Sequence, residues 1–172
     1  MPTTLRDGRQ FIAVSKRRFR TALGSGALAA AVLLSACSEA DQVSKKILFS
    51  PVNATVTNLG VPVAGALVTR SYEWRSSGQK AADTALTDPS GKFSLPLMTG
   101  SSFSTTWLPH EAVVNQLITV EHGGVKHEVW VCSKRDYLLN SELDGRAINV
   151  LFKLDQAEQT FNPRCVGKFS FE

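Results

Sequence analysis

Between residues 46 and 155 apolar and polar side chains alternate with a period of two in several short segments, the pattern of half-buried β-strands. Leu48, Val52, Ala54 and Val56 share one face of a first strand, with Asn53, Thr55 and Thr57 on the other. Pro51 lacks a backbone donor, which predicts an edge strand or a bulge there. After the turn at Asn58–Pro62, a second strand puts Ala66, Val68, Tyr72 and Trp74 on one face. Asp88-Pro89-Ser90-Gly91 has the residue preferences of a type I turn and predicts a hairpin of 82–87 with 92–97.

A second hairpin is predicted in register. Gly123-Gly124 suits a two-residue primed turn, so His122 faces Val125, Val120 faces His127 and Ile118 faces Val129. On the other face Glu121 meets Lys126 and Leu117 meets Trp130. Ser133 with Asp136 three residues on predicts a capped short helix through Tyr137 and Leu139, ending near Gly145. Ile148, Val150, Phe152 and Leu154 mark a further strand, and Cys165–Phe171 supplies a candidate last one. There is no βαβ rhythm, so the expected fold is an all-β sandwich of about seven or eight strands with one short helix.

Composition changes this picture little, but charge placement does. The chain has 172 residues, is 43% hydrophobic and 20% charged, and carries a formal net charge of +4, which excludes a disordered or collagenous chain. Residues 1–36 hold six of the 19 basic residues and one of the 15 acidic ones, so the remainder is near neutral and no nucleic-acid partner is expected.

The basic N-terminus introduces an apolar run, Thr21–Leu34, too short to span a bilayer but suited to the helical core of a signal peptide. It ends in Leu34-Ser35-Ala36-Cys37, which resembles the lipobox of bacterial lipoproteins. That resemblance implies cleavage before Cys37 and acylation of its thiol and amine. Two or three acyl chains hold a protein durably where one holds weakly. Ser38 rather than Asp follows the cysteine, which by the same resemblance implies an outer-membrane anchor facing the periplasm. The expected organisation is therefore a signal peptide at 1–36, a lipidated tether at 37–45, a sandwich at 46–155 and a tail or last strand at 156–172.

Of three cysteines, lipidation of Cys37 leaves Cys132 and Cys165, an even number for an oxidising compartment. A bridge between them would contribute roughly 3–4 kcal/mol on the chain-entropy model. The alternative is two separate thiols.

Gly60-Val61-Pro62-Val63-Ala64-Gly65-Ala66-Leu67-Val68 and Thr87-Asp88-Pro89-Ser90-Gly91-Lys92-Phe93 resemble the motifs of carboxypeptidase regulatory-like domains, which are transthyretin-like (prealbumin-like) sandwiches. Trp107-Leu108-Pro109-His110-Glu111, Lys134-Arg135-Asp136-Tyr137 and Asn140-Ser141-Glu142-Leu143 resemble an uncharacterised bacterial family of unknown function built on this sandwich. The resemblance implies a non-catalytic accessory module. The hydrolases of the transthyretin scaffold carry a Tyr-Arg-Gly-Ser signature, and Lys168-Phe169-Ser170-Phe171-Glu172 stands in its place here.

No zinc-protease spacing follows His110-Glu111 and no Gly-x-Ser-x-Gly elbow occurs, so no enzyme, metal or cofactor is expected. Arg70 shares the parity of Val68 and Tyr72. It pairs with a buried carboxylate, lines a surface pocket, or is freed at an edge by a bulge. Together with Lys134 and Arg135 it marks a possible binding surface, the last two otherwise reading as a solvated helix turn. At least two of Trp74, Trp107 and Trp130 belong to the core. The functional expectation is a membrane-anchored protein-binding or structural module. An immunity-type lipoprotein that neutralises an effector and a secretion-system accessory lipoprotein are the alternatives, with a transthyretin-like hydrolase behind them.

Overall fold

The structure, a computed structural model, describes residues 45–102 and 111–171. The leader, Cys37, most of the tether and Trp107–His110 lie outside them. The described residues are nearly all β, in three sheets of which none closes into a barrel. A five-stranded sheet contains β2 (Val52–Asn58), β3 (Val61–Pro62), β6 (Lys92–Leu95), β10 (Ile148–Lys153) and β13 (Phe169–Phe171). A six-stranded sheet runs in the order β11 (Gln159–Asn162), β12 (Cys165–Gly167), β9 (Val125–Lys134), β8 (Val114–His122), β4 (Leu67–Trp74) and β5 (Gln79–Leu86). The remaining pair is β1 (Lys46–Phe49) with β7 (Met98–Gly100).

The two large sheets form a sandwich because each presents one apolar face. Val52, Ala54, Val56, Ile148, Val150 and Phe152 from one side meet Val68, Ile118, Val120 and Trp130 from the other in a single buried cluster. A smaller cluster of Leu48, Tyr72, Trp74 and Val114 lies beneath β1 and β7. The predicted inward parities of Ala66–Trp74 and Ile148–Leu154 hold throughout.

Several expectations are corrected. Pro51 does not make its strand an edge; it divides the segment into β1 and β2, and β2 lies in the sheet interior between β10, in parallel, and β6. The Asp88–Gly91 turn forms, with Gly91 N donating to Asp88 O over 2.9 Å, but it joins two sheets instead of closing a hairpin. The reason is that β5 completes its pairing on β4, and Gly91 O is taken by Val56 N of β2 at 2.8 Å. Ser133 does not cap a helix: β9 continues through Lys134, and the short helix is one 3-10 turn at Ser141–Leu143.

The Gly123-Gly124 hairpin has its predicted register near the turn, with φ of 58° and 77° at the two glycines. Beyond Thr119–Glu128 the register slips by one at a bulge, so Ile118 faces Trp130 and Leu117 faces Val131. An unbroken ladder would point Trp130 outward. The extra residue, Val129, turns the indole into the core, where it packs 5.1 Å from Phe169 and 6.4 Å from Phe49. The Val129 carbonyl accepts from Lys168 N at 3.0 Å, while Lys168 O accepts from Lys153 N at 2.8 Å. The tail thus crosses from one sheet to the other at Lys168, and provides three strands in place of one.

Two turn positions yield stability tests. Leu59 holds φ of 50°, a left-handed conformation that costs a branched side chain about 1 kcal/mol and that asparagine adopts readily. Leu59→Asn should raise stability by about 0.5–1 kcal/mol in urea titration. Gly91 holds φ of 77°, and a Cβ there would lie 2.5 Å from Val56 O. Gly91→Ala should cost about 2 kcal/mol or more; an unchanged midpoint would contradict this tight junction between the sheets.

Candidate functional site

The Ser50-Pro51 break leaves buried backbone groups without ladder partners, and side chains supply them. Gln116 Nε2 donates to Leu48 O (2.8 Å), Arg70 Nη1 to Ser50 O (3.2 Å), and Ser50 N donates to Glu142 Oε1 (3.1 Å). Such pairing is obligatory, since an orphaned buried amide or carbonyl costs as much as a lost hydrogen bond.

These contacts connect two ion pairs, Lys134–Glu142, which is fully buried, and Arg70–Asp83, which is partly exposed at Asp83. Arg70, fully buried, binds Asp83 through Nε–Oδ1 (3.0 Å) and Nη2–Oδ2 (2.6 Å), donates to Pro96 O (2.6 Å) and lies 4.9 Å over the Phe49 ring. Lys134 Nζ donates to Glu142 Oε2 (2.9 Å), Ser141 Oγ (2.8 Å) and Leu138 O (2.5 Å), which uses all three of its protons. The Glu142 carboxylate also accepts from Gln116 Nε2 (2.9 Å) and Ser50 Oγ (2.8 Å). Ser50 Oγ in turn accepts from Asn140 N at 2.8 Å. Burial pushes the Glu142 carboxyl up, but the Lys134 charge and the hydrogen bonds from Gln116 and Lys134 outweigh it and hold the group below its ordinary value of 4.5. With four acceptor sites engaged, this carboxylate positions backbone; it has no free lone pair with which to take a substrate proton.

The expected binding surface of Arg70, Lys134 and Arg135 is therefore corrected. Arg70 and Lys134 point inward, because both lie on the core-facing parity of their strands and each has a carboxylate within reach. Arg135 alone is on the surface, paired with Glu111. Ser50, Asp83, Gln116 and Glu142 went unassigned in the sequence. The pairing of β4 with β5 would have located Asp83, which stands directly opposite Arg70. Trp74 and Trp130 are core residues, and Trp107 lies outside the described residues. Cys132 and Cys165 are register partners on β9 and β12 and form a disulfide.

Room for a ligand lies on the other face of the six-stranded sheet. An open concavity of ≈ 690 Å³ there is lined by Glu73, Lys80, Asn115, Leu117, Glu128 and Val131 among others. The Glu73–Lys80 pair (3.1 Å) lies across β4 and β5 at its rim. Half-buried Leu117 and exposed Val131 lie among these charged side chains. Among the described residues no cluster of three histidine, cysteine or acidic side chains could hold a metal. His127, paired with Val120, is held below its ordinary value first by burial and then by the nearby charges of Lys168 and His122.

The network makes a stability prediction. Glu142→Gln strands the Lys134 ammonium and should cost about 3–5 kcal/mol, as should Lys134→Met, while the double variant should cost clearly less than the sum. Additive losses in urea titration would refute the coupling. Because the folded Glu142 value is depressed, its contribution is present above pH 4.5 and is lost as pH falls below that value toward the folded one. Stability measured against pH should accordingly fall less steeply on the acid side in the double variant.

A family model described as a domain of unknown function, DUF6795, matches residues 52–157, from β2 to just short of β11. Both ion pairs lie within the match, whereas Ser50 and Cys165 lie outside it. No curated protein and no solved structure matches the chain. The match covers more than half of the sequence, and on that ground the chain belongs to the DUF6795 family.

Proposed function

We propose that this protein is a lipid-anchored, periplasm-facing module of the outer membrane that binds or supports another protein and performs no chemistry of its own. The observation that carries the reading is the Cys132–Cys165 disulfide within the sandwich. Structural disulfides belong to oxidising compartments, and a signal peptide delivers a chain to one. The Leu34-Ser35-Ala36-Cys37 motif supplies the attachment point, with Ser38 directing the anchor to the outer membrane. On this reading the sandwich is a relative of the carboxypeptidase regulatory-like and transthyretin-like domains, through the Gly60–Val68 and Thr87–Phe93 motifs. The partner docks on the concave face of the six-stranded sheet, where Leu117 and Val131 provide aliphatic contact and Glu73, Lys80 and Glu128 a charged rim.

Cys37→Ala should move the protein from the membrane to the soluble fraction; unchanged fractionation would rule out the anchor. Under denaturing, non-reducing conditions the mature protein should bind no thiol reagent, and two titratable thiols would remove the argument for the compartment. Leu117→Glu should abolish recovery of the partner from native membranes and leave fractionation unchanged. Retention of the same partner would exclude this face.

A further inference from the structure

The six other strands at sheet edges among the described residues, β1, β3, β6, β7, β11 and β13, are each four residues long or shorter, and the β1–β7 and β11–β12 pairings are interrupted by bulges. β5 differs. It pairs with β4 over eight residues without a bulge or a proline, and among the described residues its far side meets no other strand, the Gln79 side chain at one end donating to Ser101 O. Sheet edges of that length and regularity are ordinarily shortened, bent or covered, because they are templates for further pairing.

The groups on this edge follow from the ladder. Thr87 N donates to Ala66 O at 3.1 Å, so the hydrogen-bonded pairs down the strand are Ala85, Asp83, Ala81 and Gln79 with their partners on β4. Lys80, Ala82, Thr84 and Leu86 therefore direct both N–H and C=O away from the sheet. Side chains offer no obstruction, since Ala81, Ala82 and Ala85 are small, and Lys80 is drawn back onto Glu73 at 3.1 Å.

We infer that β5 pairs antiparallel with β5 of a second copy of this chain, about a two-fold axis at Ala82, joining the two six-stranded sheets into one. Charge decides the register. With Ala82 opposite itself, Lys80 lies across from Thr84 of the other copy and Ala81 from Asp83, so no like charges meet. Shifting the axis to Asp83 sets two carboxylates face to face, which is destabilising in a sheet. Leu86 lies beyond the paired region in the Ala82 register, and shifting the axis to Ala81 leaves Thr84 without a partner in β5 as well. A two-fold edge pair is self-complementary and closed, so it ends at two copies. It also places the two concave faces on the same side of one continuous sheet. The inference does not depend on the lipid anchor or on the partner proposed above.

The test uses the full chain purified in detergent, with mass measured by sedimentation across a concentration series. The wild type should be a dimer. Thr84→Lys sets a second ammonium across from Lys80, twice over by symmetry, and should weaken the dimer about tenfold or more; adding Lys80→Glu to it should restore association. Ala82→Pro removes an outward N–H without touching the β4 ladder and should give a monomer of unchanged far-ultraviolet circular dichroism. Ala82→Cys should form a reducible dimer on mild oxidation, whereas Ser94→Cys on the opposite sheet should not. A wild type that stays monomeric throughout, or a dimer indifferent to the charges placed at positions 84 and 80, would overturn the inference.

Discussion

The saturation of the buried backbone at Ser50-Pro51 governs how this sandwich is closed at one end. A proline between two strands removes a donor and interrupts the ladder, yet Ser50 beside it is fully buried. Arg70, Gln116 and Glu142 supply what the ladder cannot, and the two charges are neutralised by Asp83 and Lys134. The result ties β4, β5, β8, β9 and the 3-10 turn to one short link. Buried ion pairs contribute little net stability compared with apolar packing, but losing either partner is costly, so the arrangement specifies a geometry more than it adds strength.

At the other end of the chain the constraint is the tail. Lys168 bonds to Val129 on one sheet and Lys153 on the other, while Phe169 packs against both Trp130 and Phe152. The disulfide holds the same tail to β9 two register positions from Trp130. The β9 bulge belongs to this arrangement, since it turns the indole inward and leaves the Val129 carbonyl for Lys168. Removing the bridge would loosen the element that closes the two sheets on each other.

These constraints separate the charged residues by role. Two cations of the sandwich, Arg70 and Lys134, are committed to its interior, while Glu73, Lys80 and Glu128 line the open concavity on the outer face of the six-stranded sheet. In the proposed function that outer face is the surface that meets the partner.

Local pattern was enough to establish the class of fold, the inward parity of β4 and β10, the glycine turn with its first pairs and the Asp88–Gly91 turn, and it offered the cysteine pair as one of two readings. Each of these depends on a period of two, on residues adjacent in sequence, or on simple counting. What local pattern could not decide was pairing between distant segments: that β2 lies in a sheet interior beside a parallel β10, that Asp88–Gly91 leads to another sheet, that a bulge reverses Trp130, and that Lys134 ends a strand facing Glu142. Arg70 illustrates the boundary between the two. Its parity already pointed to a buried counter-charge as one of its roles, but choosing Asp83 needed the β4–β5 register. The Glu142 network needed more, because Ser50, Gln116, Lys134 and Glu142 come from four separate segments whose meeting is a consequence of how the sheets stack.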